Sequence, residues 1–157
     1  MRSIQMTSAQ GYRDQLDRTC RFLARIEAVG PRRDVEYQDD VWAFFQNCWH
    51  LKDWLLNDSV VPAETKKPVI EAVHASSTLL LCRDMANGTK HLRLDDPSIG
   101  ARHSHTNTII TPGAESRVDC LIEVDGKLLS AREVARQCVD EWMKLLTNAG
   151  LAVGQRS

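Results

Sequence analysis

The chain has 157 residues, of which 43% are apolar and 26% are charged, a composition typical of a soluble globular protein. This length suits a single domain over 1–157 that builds its core without a metal or a disulfide. The 20 basic residues nearly balance the 21 acidic ones, which excludes a basic nucleic-acid-binding field over the whole chain but leaves a local patch open. No run approaches the roughly 20 apolar residues of a membrane span, and residues 1–5 lack the apolar core of a signal peptide. We therefore expect a cytoplasmic protein with no membrane partner.

Apolar residues at helical spacing predict four helices. The first ends before Gly30 and Pro31, since both residues terminate helices. The second begins at a cap formed by Asp39 or Asp40 and is the most apolar of the four. The second and third are expected to pack as an antiparallel hairpin. Their predicted bounds, in chain order, are about 8–29, 40–57, 65–88 and 131–148.

A polar stretch over about 95–108 contains several turn-forming residues and predicts a loop. Three β-like segments follow, and they predict a small antiparallel β-meander over about 106–129. Asp125-Gly126 between the last two segments is a strong hairpin signal, and Ser130 with Glu133 forms the capping-box pattern that opens the last helix. The predicted fold is α+β and mainly α: a four-helix bundle-like domain with a small antiparallel β-meander inserted before its last helix.

The five cysteines stand singly and form no Cys-X-X-Cys pair. Four of them fall on apolar helical positions, which predicts reduced thiols in the core. These four are Cys20, Cys48, Cys82 and Cys138. The spacing predicts neither a disulfide nor a zinc site, and we expect no cofactor.

Two histidine patterns supply possible metal ligands. His103 and His105 alternate as they would on one face of a strand, and His50 and Asp53 are three residues apart on a helix. Each pattern offers only two ligands, fewer than a zinc site needs, so solvated side chains are favoured. A metal-dependent hydrolase that uses histidines is accordingly the third interpretation. In the predicted hairpin His50 is level with about residue 72, well over 20 Å from His91.

The C-terminal part of the third predicted helix carries an unusual polar stripe. If the helix continues to residue 91, polar side chains there share a face with the apolar residues that precede them, and burying charge is costly without a purpose. An arginine or lysine suits phosphate, and a histidine transfers protons near neutral pH. The candidate catalytic residues are Arg83, Asp84 and His91, and the candidate binding residues are Asn87 and Lys90.

A helix end explains the same residues without a site. Asn87-Gly88 is a common helix stop, and Lys90 and His91 suit the negative end of a helix dipole. If the helix ends at Gly88, His91 leaves the stripe and the candidate residues separate. The polar residues at the start of helix two and the end of helix one would lie at the same end of the bundle, which predicts a densely charged pole.

Three tryptophans surround the second predicted helix, at Trp42, Trp49 and Trp54. Side chains at these three positions point in different directions from the helix axis, and a single core-facing stripe cannot include all of them. Either this helix is central and buried on nearly all sides, or some of the indoles contact a second subunit, because aromatic residues are enriched at interfaces. The second possibility describes a non-catalytic interaction or oligomerisation module.

Residues 42–54 (WAFFQNCWHLKDW) and 82–91 (CRDMANGTKH) resemble a family of uncharacterised bacterial and phage helical proteins. More remotely, the helical layout with a polar Arg-to-His element resembles the HEPN superfamily, many of whose members are metal-independent endoribonucleases of toxin–antitoxin and defence systems and work as dimers. The resemblance covers about residues 37–94. It implies an RNA substrate, a homodimer, a proton-transferring His91 and a phosphate-stabilising Arg83 followed by the polar Asp84. Seven residues separate Arg83 from His91, more than is usual in HEPN proteins.

Overall fold

The computed structural model describes residues 11–28, 33–91, 101–109 and 117–154, and at 34, 89–91, 101–109, 117 and 118 it describes the backbone alone. Within these ranges the chain forms five helices and one antiparallel sheet of three strands in the order β1-β2-β3. The predicted α+β, mainly α class with a β-meander before the last helix is confirmed. The elements are α1 Tyr12–Glu27, α2 Asp34–Asn57, α3 Ala63–Ala75, α4 Ser77–His91, β1 Ala101–Ile109, β2 Arg117–Val124, β3 Lys127–Ser130 and α5 Ala131–Asn148.

Helix α2 carries the centre of the core and packs against α1, α4 and α5. Its buried residues recur at helical spacing, as a core-facing stripe requires. They are Tyr37, Val41, Phe44, Phe45, Cys48, Trp49, Leu51 and Leu55. The four helices α1, α2, α4 and α5 form the bundle, while α3 contacts α2, α4 and α5 from outside it.

The start of α2 was predicted too late. The helix begins at Asp34, so Asp39 and Asp40 lie inside it rather than at its N-cap. Tyr37 is 1% exposed and extends the apolar stripe one turn before Val41. The buried Asp40 lies 3.6 Å from the Arg25 guanidinium of α1, so this acidic side chain pairs across the bundle instead of capping a helix. The end of α2 at Asn57 agrees with the prediction.

The third predicted helix is two helices, because Ser76 breaks it. Ser76 has an extended backbone (φ −85°, ψ 115°), and its N–H donates to the Val73 carbonyl at 3.3 Å. Its side-chain oxygen accepts from the Leu79 N–H at 3.3 Å, and its carbonyl accepts from the Leu80 N–H at 2.9 Å. A serine that bonds the backbone in this way closes one helix and caps the next. The single helix predicted over 65–88 is therefore wrong.

The break also shifts which side of α4 is buried. Leu79, Leu81 and Cys82 are buried, whereas Leu80 is only half-buried. An unbroken helix would keep the helical phase set by α3, but an extended residue resets it.

Helix α1 begins at Tyr12, later than the predicted start at 8, because Gly11 (φ 77°) lies outside the helix as its N-cap. The Tyr12 N–H donates to the Asp58 carboxylate at 3.0 Å, so a residue from the loop after α2 satisfies the first turn. The helix ends at Glu27, and the predicted stop at Gly30 and Pro31 lies outside the described residues.

The sheet begins earlier than predicted. β1 covers 101–109 and pairs antiparallel with β2 from Ala101↔Val124 to Ile109↔Arg117, so the loop predicted over 95–108 is wrong where it overlaps the strand. The β1 sequence is polar and lacks an apolar alternation. Its conformation therefore depends on backbone pairing with the more apolar β2, which single-segment periodicity does not report. The described strands of the meander thus lie within 101–109 and 117–130.

Two predictions from short sequence motifs, the hairpin turn at Asp125-Gly126 and the cap at Ser130, are confirmed. Asp125 (φ 49°) and Gly126 (φ 77°) both have left-handed backbone angles, as a type I′ hairpin between β2 and β3 requires. The Ser130 side chain accepts from the Glu133 N–H at 3.4 Å and caps α5. Val134, Cys138 and Trp142 of α5 are buried in the core.

Candidate functional site

Helix α4 does not stop at Asn87-Gly88 but continues to His91. Arg83, Asn87 and His91 therefore occupy positions i, i+4 and i+8, on one side of a single helix backbone. Lys90 precedes His91 in the same last turn. The helix stop predicted at Gly88 is wrong, because α4 adds almost one further turn, and Lys90 and His91 lie in that last turn, where basic residues suit the helix dipole. For Lys90 and His91 only the backbone is described.

Arg83 and Asp84 carry charge into the interior at this part of α4. Asp84 is 3% exposed, and the Arg83 side chain is 31% exposed. Arg83 Nε lies 3.5 Å from Asp84 Oδ1, close enough for an ion pair but long for a hydrogen bond. Among the described residues, the buried Arg83 Nε has no hydrogen-bond partner. The Arg83 side chain is thus partly exposed beside a buried carboxylate.

The predicted charged pole exists at the junction of α1, α2 and α5. Arg25 of α1 faces Asp40 of α2 at 3.6 Å, and Glu27 of α1 accepts from Arg136 of α5 at 2.7 Å. The opposite charges at this end are paired with each other. These contacts tie three helices together.

The other histidines of the described chain, and Lys52 of α2, lie on elements other than α4. His50 and His74 are exposed. The Lys52 ammonium bonds the neighbouring Asp53 carboxylate and lies 4.9 Å from the centre of the Trp49 ring. His103 and His105 lie in β1, where only the backbone is described.

The tryptophans of α2 are used largely within the chain. Trp49 is 8% exposed and meets the His74 ring edge-on at 6.0 Å. Trp42 and Trp54 pack against the core while partly exposed, and the Arg18 guanidinium lies 5.4 Å from the centre of the Trp54 ring. This arrangement agrees with a central, mostly buried α2.

A second cluster, which the sequence did not reveal, lies in the middle of the bundle. Cys48 of α2, Cys82 of α4 and Cys138 of α5 bring their sulfur atoms within 4.8 Å of one another, and all three are fully buried. All five cysteines lie within the described residues as free thiols; of the four predicted to lie in the core, Cys48, Cys82 and Cys138 are buried, whereas Cys20 is only partly buried. What sequence reasoning missed is that three of them meet. We call this the thiol cluster.

The three thiols of the cluster influence each other's pKa values. Burial raises the pKa of Cys48 and of Cys82. Hydrogen bonds from Cys48 and Cys82 to the sulfur of Cys138 lower the pKa of Cys138 to about 5. When it carries its proton, Cys138 donates instead to the Thr78 carbonyl at 3.7 Å, and Cys82 donates to the Phe45 carbonyl at 3.5 Å. Three sulfurs this close titrate as a coupled set, and a thiolate formed in the cluster is held by its two neighbouring thiols.

No protein-family model, curated protein or solved structure matches this chain. The resemblance to HEPN proteins accordingly stays a prediction. In the part of the chain that the structure describes, no helix combines the length and the apolar character needed to cross a membrane. The chemistry of this protein has to be inferred from its own side chains, at the polar side of α4 and in the thiol cluster.

Proposed function

We propose that this chain is a HEPN-like, metal-independent endoribonuclease whose site lies on the polar side of α4. The observation that supports the proposal is the continuity of α4 to His91. It gives Arg83, Asn87 and His91 a shared helix side, which the resemblance requires and which a helix end at Gly88 would have removed.

The residue types match the chemistry of RNA cleavage by an internal nucleophile. In that reaction the 2′-oxygen attacks phosphorus, the bond from phosphorus to the 5′-oxygen breaks, and the products carry a 2′,3′-cyclic phosphate and a 5′-hydroxyl. Arg83 would bind the phosphate and stabilise the negative charge of the transition state. His91 would move the proton, since imidazole titrates near neutral pH.

The remaining residues assist these two. Asp84 is buried 3.5 Å from Arg83 Nε, so it acts as a positioning residue that limits where the guanidinium can go. Asn87, half-buried one turn further along, has an amide that can donate to a phosphate oxygen. Lys90 adds positive charge in the last turn of α4.

A homodimer belongs to the proposal for a chemical reason. The reaction needs a base for the 2′-hydroxyl and an acid for the leaving 5′-oxygen. Within one chain the polar side of α4 offers a single histidine, so His91 of a second copy would supply the other role.

The test is cleavage of a 5′-labelled single-stranded RNA by the full chain in excess EDTA. We expect products that end in 2′,3′-cyclic phosphate, and no cleavage where the attacking nucleotide is 2′-deoxy. His91→Ala should lower the rate by roughly 100-fold or more, as loss of a general acid or base does. His50→Ala, at an exposed histidine on α2, is the matched control and should cleave normally.

Circular dichroism and thermal melting of both variants establish that each is folded. Wild-type protein that leaves every RNA intact would overturn the proposal, as would His91→Ala protein that cleaves like wild type. Light scattering tests the dimer separately: a monomer at the concentration that gives full activity contradicts the two-copy site.

A further inference from the structure

We propose that the thiol cluster of Cys48, Cys82 and Cys138 is a three-sulfur binding site for a soft, univalent metal ion, with Cu(I) preferred to Zn²⁺. The three residues come from three different helices of the bundle, and their sulfur atoms lie within 4.8 Å of one another. This site is separate from the polar side of α4 and does not depend on the proposed nuclease activity.

The geometry is close to what a three-coordinate ion needs. Metal–sulfur bonds of about 2.3 Å arranged in a plane at equal angles place the sulfurs about 4 Å apart. Sulfurs that already lie within 4.8 Å reach that arrangement by shifts of less than about 1 Å, which side-chain rotation supplies.

A second observation concerns the part of the core beside the thiol cluster. The Trp142 indole is fully buried, and among the described residues its Nε1 has no hydrogen-bond partner. Trp142 and Cys48 are neighbours in this part of the core. A metal-bound thiolate there would give the unpartnered N–H an acceptor, and hydrogen bonds of this kind tune thiolates that hold a metal.

The identity of the ion follows from the ligand set. Thiolates select soft ions such as Cu(I) and Zn²⁺, but zinc in structural sites is almost always four-coordinate. Among the described residues, no fourth histidine, cysteine or carboxylate joins the three sulfurs. Cu(I) accepts three sulfur ligands without a fourth. Its binding replaces S–H protons, which pass to solvent, and involves no change of oxidation state.

Binding is tested with Cu(I) added anaerobically to the full chain in a Cys20→Ser background, against the chromogenic chelator bicinchoninate. Cys20 is the one cysteine of the five that is not buried, so its removal eliminates a competing surface thiol. We expect one Cu(I) retained per chain, and X-ray absorption should show three sulfur neighbours at about 2.3 Å.

Cys138→Ala should weaken retention at least tenfold and reduce the sulfur neighbours from three to two. Cys120→Ala, at a buried cysteine of β2 outside the cluster, is the matched control and should bind like the parent. Equal retention by Cys138→Ala would overturn the proposal, as would nitrogen or oxygen neighbours in the parent. Tighter retention of Zn²⁺ than of Cu(I) would overturn the preference. The sulfur count of the parent chain tests the proposal even where a variant fails to fold.

Discussion

The carboxylate of Asp58 accepts a hydrogen bond from the backbone N–H of Tyr12 at 3.0 Å, and this contact fixes the first turn of α1 to the loop that follows α2. The approach is possible because residue 11 is glycine. A Cβ at that position would overlap the Asp58 carboxylate, and the backbone angles of Gly11 (φ 77°, ψ −152°) are ones that only glycine adopts readily.

Gly11→Ala should therefore destabilise the fold, by about 1–3 kcal/mol in the free energy of unfolding. Both the backbone strain and the displaced Asp58 carboxylate act in the same direction. Urea denaturation followed by circular dichroism measures the change. A variant as stable as the parent would mean that Asp58 does not cap α1.

Gly88→Ala should have the opposite effect and raise the free energy of unfolding. Gly88 lies inside α4 and has no left-handed φ, and a methyl group on its Cα would meet no atom within 4 Å. Alanine there should stabilise the protein by about 1 kcal/mol, the difference in helix propensity between the two residues. The same substitution would be destabilising if Gly88 were a helix stop, so its sign in urea denaturation reports directly on the continuity that supports the nuclease proposal.

Ser76→Ala should lower the free energy of unfolding by about 1 kcal/mol, because it removes the side-chain oxygen that accepts from the Leu79 N–H at 3.3 Å and caps α4. Its neighbour offers a matched control: Ser77 is exposed and already helical, so Ser77→Ala should change stability by less than about 0.5 kcal/mol. Thermal unfolding of the two variants side by side makes the comparison. Equal losses of stability in the two variants would show that the Ser76 side chain does not cap α4.

The same serine explains why the thiol cluster could not be predicted. An unbroken antiparallel hairpin turning near residue 61 places Cys48 level with about residue 74, roughly 12 Å from Cys82 along the axis. The break at Ser76 changes that register, and Cys82 meets Cys48. A serine inside an apolar pattern carries no strong breaking signal, since its capping hydrogen bonds form only in the folded backbone.

Features that depend on neighbouring residues were predictable, whereas those that depend on distant pairing were not. The Asp125-Gly126 turn and the Ser130 cap follow from local chemistry, and both are present. β1 was missed because its partner β2 lies further along the chain. At the candidate site, the sequence indicated that charge enters the core-facing side of α4, and the burial of Asp84 agrees.

The ionisation of Tyr37 should make the protein less stable at alkaline pH. Its hydroxyl donates to Asp119 at 3.2 Å, and burial, with the Asp119 charge, raises its pKa above the usual value. Above about pH 10 the unfolded chain loses this proton while the native chain keeps it. The unfolded state then binds fewer protons, so the free energy of unfolding falls as pH rises, by up to about 1.4 kcal/mol per pH unit for this group.

Tyr37→Phe should lower the free energy of unfolding by about 1 kcal/mol at pH 7, through loss of the hydrogen bond to Asp119. The difference between the parent and this variant should shrink as the pH is raised past 10, because phenylalanine has no proton to lose in the unfolded state. Tyr12→Phe is the comparison: Tyr12 also has a raised pKa through burial, but its hydroxyl donates to the neutral Ala152 carbonyl at 2.8 Å. Because a neutral carbonyl holds a phenolic proton less strongly than a carboxylate does, Tyr12 should contribute a smaller loss of stability in alkali than Tyr37. Urea denaturation at pH 7 to 11 gives the three curves, and parallel curves for the parent and Tyr37→Phe would show that Tyr37 titrates alike in the native and unfolded states.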